Sequence, residues 1–191
     1  MKWLQILLLV GFQNAFAQKD TTIHFKEPGW TIQLPADFII IDSALMAARQ
    51  KTEVQLIEEP TADSVNTPHT QYFITAMKDK QNYFSANFTA SSYITANNWQ
   101  SVDSTEKETF LKTLTAQIRI HPDSSSSLVT LDGVRFKKLQ ASFPLGEKST
   151  FIICYLGTFF KGKYLAVIYF FTDSAAGSEI IQMLHHSTFD K

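Results

Sequence analysis

The stretch TFIICYLGTFFKGKYLAVIYFF, from Thr150 to Phe171, constrains the fold of this chain more than any other. It is apolar enough to invite comparison with a membrane span, but Lys161-Gly162-Lys163 breaks it near its middle. Neither half approaches the ~20 apolar residues that a helix needs to cross a bilayer. Each half is rich in β-branched and aromatic residues, and the break holds a glycine, so the pattern is two strands joined by a tight turn. Alternation places Phe151, Ile153, Tyr155 and Phe159 on one side of the first arm, with Ile152, Cys154, Leu156 and Phe160 on the other. In the second arm Tyr164, Ala166, Ile168 and Phe170 oppose Leu165, Val167, Tyr169 and Phe171. A membrane-barrel strand turns polar side chains to its lumen. Strands apolar on both faces belong instead in the middle of a sheet that is covered twice. Each large side chain buried in this way stabilises by ~1.5–3 kcal/mol relative to exposure, so the rest of the chain must supply two covering layers.

Other segments fit that demand. Asp132-Gly133 is a strong two-residue hairpin signal between Leu128–Leu131 and Val134–Phe143. Trp30 to Leu34 alternates and stops at Pro35, after the turn signal Pro28-Gly29. Gln71–Met77 and Tyr83–Ala90 read as two further strands with Lys78 to Gln81 as their loop; Phe84, Ala86, Phe88 and Ala90 form a covered face and Tyr83, Ser85, Asn87 and Thr89 a wetter one. Helices are predicted over Ala44 to Glu59, after Phe38–Ile41 and a cap at Asp42 or Ser43, and over Ser104 to Ile118, where Thr105–Glu108 has capping-box form and Phe110, Leu111, Leu114 and Ile118 make an apolar stripe. A last helix, about Ala175 to His186, follows the Thr172-Asp173-Ser174 turn and buries Ile180, Met183 and Leu184. Thr61 to Thr70, and His121 to Asp123 with the run Ser124 to Ser127, read as flexible loops. The expected fold class is α/β (α+β): a three-layer α/β/α sandwich around a mainly antiparallel central sheet.

The N-terminus, MKWLQILLLVGFQNAFAQ, has the form of a secretory signal peptide: a basic Lys2, an apolar core from Trp3 to Phe12, and Ala15-Phe16-Ala17 as the small-x-small site. Cleavage is expected between Ala17 and Gln18, leaving residues 18–191 as one exported globular domain, periplasmic or secreted, with no transmembrane segment. Cys154 is the only cysteine. An exported chain with one cysteine cannot staple itself, so its stability must come from core burial. The thiol, set between Ile153 and Tyr155, is expected to be buried and inert. The formal net charge of −1 is spread without like-charged runs, so nothing offers the basic stripe that a nucleic acid or an anionic membrane surface requires.

With its leader and WTIQLPADF near the start of the mature chain, the sequence resembles PsbP-like domains. LDGVRFKKLQASF, the FIICYLGTFFKGKYLAVIYFF hairpin and a closing helix ending in HHSTF extend the resemblance over most of residues 23–189. That fold is shared with the Ran-binding Mog family of eukaryotic proteins and with many exported bacterial proteins of unassigned role. The resemblance implies a non-catalytic accessory domain that docks on a larger assembly, and it carries over no binding residue.

The residues themselves offer no catalytic constellation and imply no cofactor or metal. His185 and His186 are neighbours that point about 100° apart on a helix, and a helix C-terminus is reason enough for them. His121, Asp123 and Ser124–Ser127 crowd together in sequence, but crowding does not supply a triad's geometry. There is no G-x-S-x-G elbow, no H-E-x-x-H and no glycine-rich phosphate cradle. Glu58-Glu59 reads as solvated charge, and Asn87-Phe88-Thr89 is a bare glycosylation triplet. Trp99, in a predicted loop, is the candidate partner contact, against the alternative that it folds back to plug one end of the core. Two functions follow as expectations. One is an exported accessory domain binding a protein partner or envelope assembly through loops that include Trp99 and Thr61–Thr70; the other is a carrier of a small hydrophobic ligand held between sheet and helix.

Overall fold

The computed structural model describes residues 20–41, 69–90, 94–145 and 149–190. The leader with its Ala17–Gln18 junction, the helix expected over Ala44–Glu59 and nearly all of the Thr61–Thr70 loop lie outside them. In chain order the elements are β1 (Thr21–Phe25), β2 (Trp30–Leu34), β3 (Ile39–Ile40), β4 (His69–Asp79), β5 (Asn82–Ala90), α1 (Trp99–Ile118), β6 (Asp123–Leu131), β7 (Val134–Leu145), β8 (Ser149–Phe160), β9 (Lys163–Phe171), α2 (Ser174–His185) and β10 (Thr188–Phe189). A seven-stranded sheet in the order β3-β4-β5-β9-β8-β7-β6 is antiparallel at every pairing, and β1-β2-β10 form a separate antiparallel sheet of three strands.

The greasy hairpin is β8–β9, at the middle of the large sheet, and its turn residues Lys161 and Gly162 take φ 47° and 77°. Its two faces divide as alternation requires. Phe151, Ile153, Tyr155 and Phe159, with Tyr164, Ala166, Ile168 and Phe170, pack under α1 against Trp99, Val102, Phe110, Leu111, Leu114 and Ile118. The opposite set packs against Ile180, Met183 and Leu184 of α2 and against Trp30, Ile32 and Leu34 of β2. The architecture is a three-layer sandwich in which α2 and the small sheet share one outer layer. Trp30 anchors that sheet by stacking on Phe189 at 5.7 Å.

Local chemistry departs from the sequence pattern in four places. Helix α1 starts at Trp99 rather than Ser104, because a turn built on Thr95 starts it: Asn98 Oδ1 accepts from Thr95 N at 2.7 Å, and Trp99 N donates to Thr95 O at 3.0 Å. Thr105–Glu108 is therefore interior to the helix, and the Thr105 hydroxyl donates to Ser101 O one turn back. Ser124–Ser127 belong to β6 and not to a loop. The Asp132-Gly133 turn, with φ 44° and 81°, starts a register with β7 that runs unbroken from Leu131↔Val134 to Asp123↔Ser142, and serine offers no steric objection to it. The β4–β5 loop contracts to Lys80-Gln81 because the Asp79 carboxylate accepts from Gln81 N and Asn82 Nδ2 at 2.7 and 2.8 Å. The short strands β1, β3 and β10 had no legible period of their own.

Candidate functional site

Helix α1 lies over β8, its apolar side chains reaching β9 and Leu139, Ala141 and Phe143 of β7, and it leaves β6 at the outer margin of the same face uncovered. Between them runs a groove of about 500 Å³, walled by Ser104, Lys107 and Leu111 of α1 and by Ser126, Leu128 and Leu139 of the sheet. A second cavity of about 570 Å³ shares Glu108 and Leu111 with it and extends past Lys112 to His121 and Pro122. Leu128 is 62% exposed at the rim.

The floor is charged and buried. Asp103 and Lys107 are one helical turn apart and 1% and 8% exposed. Lys107 Nζ donates to the Asp103 carboxylate at 2.9 Å and to the Lys137 carbonyl at 2.8 Å. The Tyr164 hydroxyl donates to Asp103 Oδ1 at 2.9 Å, and the Tyr155 hydroxyl donates to Glu106 Oε2 at 2.7 Å. Burying two such charges costs several kcal/mol per ion, recovered only when the remaining lone pairs and protons are satisfied, as they are here. The geometry also needs Gly157: a Cβ there would sit 1.8 Å from Asp103 Oδ1. Burial pushes the Lys107 amine below its ordinary value despite Asp103, and it pushes both phenols far above theirs, with neighbouring charge adding to the shift. The phenols thus stay protonated, and the Lys107 protons are committed to Asp103 and a carbonyl. The cluster ties α1 to the sheet, while the groove above it offers leucine walls, serine hydroxyls and lysine heads for binding.

Trp99 is the first residue of α1, half-buried in the cluster beneath the helix, with Lys137 Nζ 5.7 Å from its ring centre. Lys137 also lines the groove, so Trp99 stands beside that surface and not on a free loop. His185 and His186 are exposed at the end of α2. Among the described residues no three of His, Cys, Asp and Glu converge on a common point. Cys154 is buried, its Sγ 3.7 Å from Gln140 Oε1, and burial raises its thiol pKa. Asn87 is half-buried in β5, an interior strand. Beneath α2 the sheet is closely filled, leaving about 70 Å³ beside Leu131, Leu156 and Leu184. No helix among the described residues is long and apolar enough to cross a membrane.

The fold is PsbP-like. The solution structure of cyanobacterial PsbP (CyanoP) from Synechocystis sp. PCC 6803 superposes with a TM-score of 0.53 at 11% identity, covering 95% of this chain and 99% of that one. A crystal structure from Bacteroides thetaiotaomicron gives a TM-score of 0.50 at 8% identity over 91% of this chain and 49% of that one, so this chain spans about half of its length. LpqN of Mycobacterium tuberculosis, a protein involved in cell envelope biogenesis, gives a TM-score of 0.44 at 13% identity, covering 91% of each chain. No protein-family model matches the sequence, and no curated protein does.

Proposed function

We propose that this chain is an exported, non-catalytic accessory domain that binds a protein partner or an envelope assembly through the groove between α1 and the β6–β7 margin. The observation that supports the reading is a long open concavity whose charged floor is internally paired and whose rim carries an exposed leucine. Concave surfaces lined by apolar groups with a few placed polar ones are the usual sites of recognition. The N-terminal leader supports export, with cleavage between Ala17 and Gln18. The single native cysteine is buried, so one introduced thiol carries a cross-linker to a chosen face. Ser104→Cys in the groove is expected to capture a defined partner in the protein's own compartment, while Ser178→Cys on exposed α2 is not. Equal capture from both positions, or none from either, would overturn the reading. The intact mass of the recovered chain is expected to start at Gln18.

A second reading, a carrier of a small hydrophobic molecule, draws on the groove's volume of about 500 Å³, within the range of small-ligand sites. It predicts a small adduct in native mass spectrometry, and a bare polypeptide would reject it.

A further inference from the structure

Resting on the partner-binding reading, we propose that the outer edge of β6 takes an extended segment of the partner as an added strand, and that this segment carries carboxylate side chains. Among the described residues β6 is the terminal strand of the large sheet, opposite the two-residue β3. An unpaired edge is a template for another chain, and proteins usually protect it with lysine, proline or a bulge. Strand β6 has none of these: it is DSSSSLVTL, nine residues in unbroken register with β7, exposed from Asp123 to Leu128.

The turn fixes which amides are on offer. With both Asp132 and Gly133 at positive φ, Leu131 and Val134 form the hydrogen-bonded pair that closes the hairpin, and bonded and non-bonded pairs alternate from there. Ser124, Ser126, Leu128 and Thr130 therefore direct N–H and C=O outward. Their side chains lie on the α1 side of the sheet, where Ser126 and Leu128 wall the groove. An added strand runs along the groove mouth and sends alternate side chains to that same side.

Charge narrows the occupant. With Lys107 neutralised by Asp103, the groove side retains Lys112 and Lys137 against Glu108, while Lys138 alternates to the α2 side of the sheet. That surplus favours a segment bearing carboxylates. A second copy of this chain is disfavoured on a separate ground: β6 carries Asp123 at one end and is followed by Asp132 at the other, with no basic residue between, so pairing two β6 edges brings like charges together. Antiparallel pairing of two β6 strands centred on Leu128 places Asp123 opposite Gly133 of the other copy, one position from its Asp132.

The test is selection of random linear displayed peptides against the purified chain, followed by amide hydrogen exchange and titration of the enriched sequences. Enriched peptides are expected to alternate apolar and acidic residues and to slow exchange at Ser124, Ser126, Leu128 and Thr130. Ser126→Pro deletes one outward N–H that β7 does not use and is expected to weaken them by about tenfold or more, while Ser125→Ala, on the far face of the strand, leaves them unchanged. Leu128→Glu, which keeps every backbone group, weakens the same peptides by repulsion should the proline variant fold poorly. Failure to enrich any peptide overturns the proposal, as does enrichment of peptides indifferent to both variants or lacking acidic residues. Protection of the same four amides by self-association, without peptide, assigns the edge to a second copy and also overturns it. Partner capture from Ser104→Cys alongside any of these failures leaves groove binding standing and removes only strand addition.

Discussion

At Gly157 of β8 a Cβ would meet Asp103 Oδ1 at 1.8 Å and the Tyr164 hydroxyl at 2.6 Å. The missing side chain is what lets a buried carboxylate approach the strand, accept from Tyr164 and hold Lys107. Gly157→Ala forces the carboxylate off these partners, and removing one member of a buried pair costs ~3–5 kcal/mol because the other charge stays buried. A loss of that size in urea unfolding is expected for Gly157→Ala and for Asp103→Ala. The double variant Asp103→Leu, Lys107→Met should cost much less than Asp103→Ala, since it leaves no unpaired charge; equal losses would mean that the pair does not hold α1. Part of this was legible at the residue scale. A glycine inside a strand marks close approach of something else, and Trp99, Asp103, Lys107, Phe110 and Leu114 continue one stripe at spacings of three and four. The charged pair hid the stripe, because Asp and Lys on a helix ordinarily face water, and only the phenols and carbonyl supplied by distant strands reverse that.

Among the elements, α1 and α2 begin in different ways, and the difference is measurable. Asp173 caps α2 by accepting from Ala175 N at 2.8 Å, so Asp173→Ala is expected to cost about 1 kcal/mol. Thr105 lies inside α1, exposed and bonded to a carbonyl one turn back. Thr105→Ala should be neutral or gain a few tenths of a kcal/mol, whereas a capping box at that position would have cost as much as Asp173→Ala; thermal melts of the two variants separate the cases. The sequence carried the interior elements well because burial on both faces writes a dense apolar code, seen in β8, β9 and the Ile180-Met183-Leu184 stripe. Strand β6 left no such trace. An edge strand exposed from Asp123 to Leu128 needs no alternation, so four serines looked like linker. Its strand state comes from the Asp132-Gly133 turn and from β7, which propagate the register outward.

At the scale of the whole molecule, the large sheet has tyrosines sealed on both sides: Tyr155 and Tyr164 beneath α1, and Tyr169 in the core shared by α2 and the small sheet. Burial raises all three phenols well above the ordinary value near 10. In the folded state they hold protons that the unfolded chain releases above about pH 10. Their contribution is therefore fully present below that pH and is lost as pH rises, by about 1.4 kcal/mol per pH unit for each, or about 4 for the three together. Lys107 acts in the opposite sense. Its folded value is lowered, so the unfolded state holds the extra proton below about 10.5 and stability rises with pH there. One lysine against three phenols leaves a shallow slope approaching pH 10 and a steep fall beyond 10.5. Urea midpoints across this range are expected to show that break, and tyrosinate absorbance should show Tyr155, Tyr164 and Tyr169 ionising only as the chain unfolds. Because the three sit on opposite faces, both outer layers should be lost in the same alkaline transition. Ionisation of Tyr155 and Tyr164 with the native fold intact would instead mean that water reaches the floor of the groove, and that the Asp103–Lys107 cluster is not the sealed clamp on which the binding surface rests.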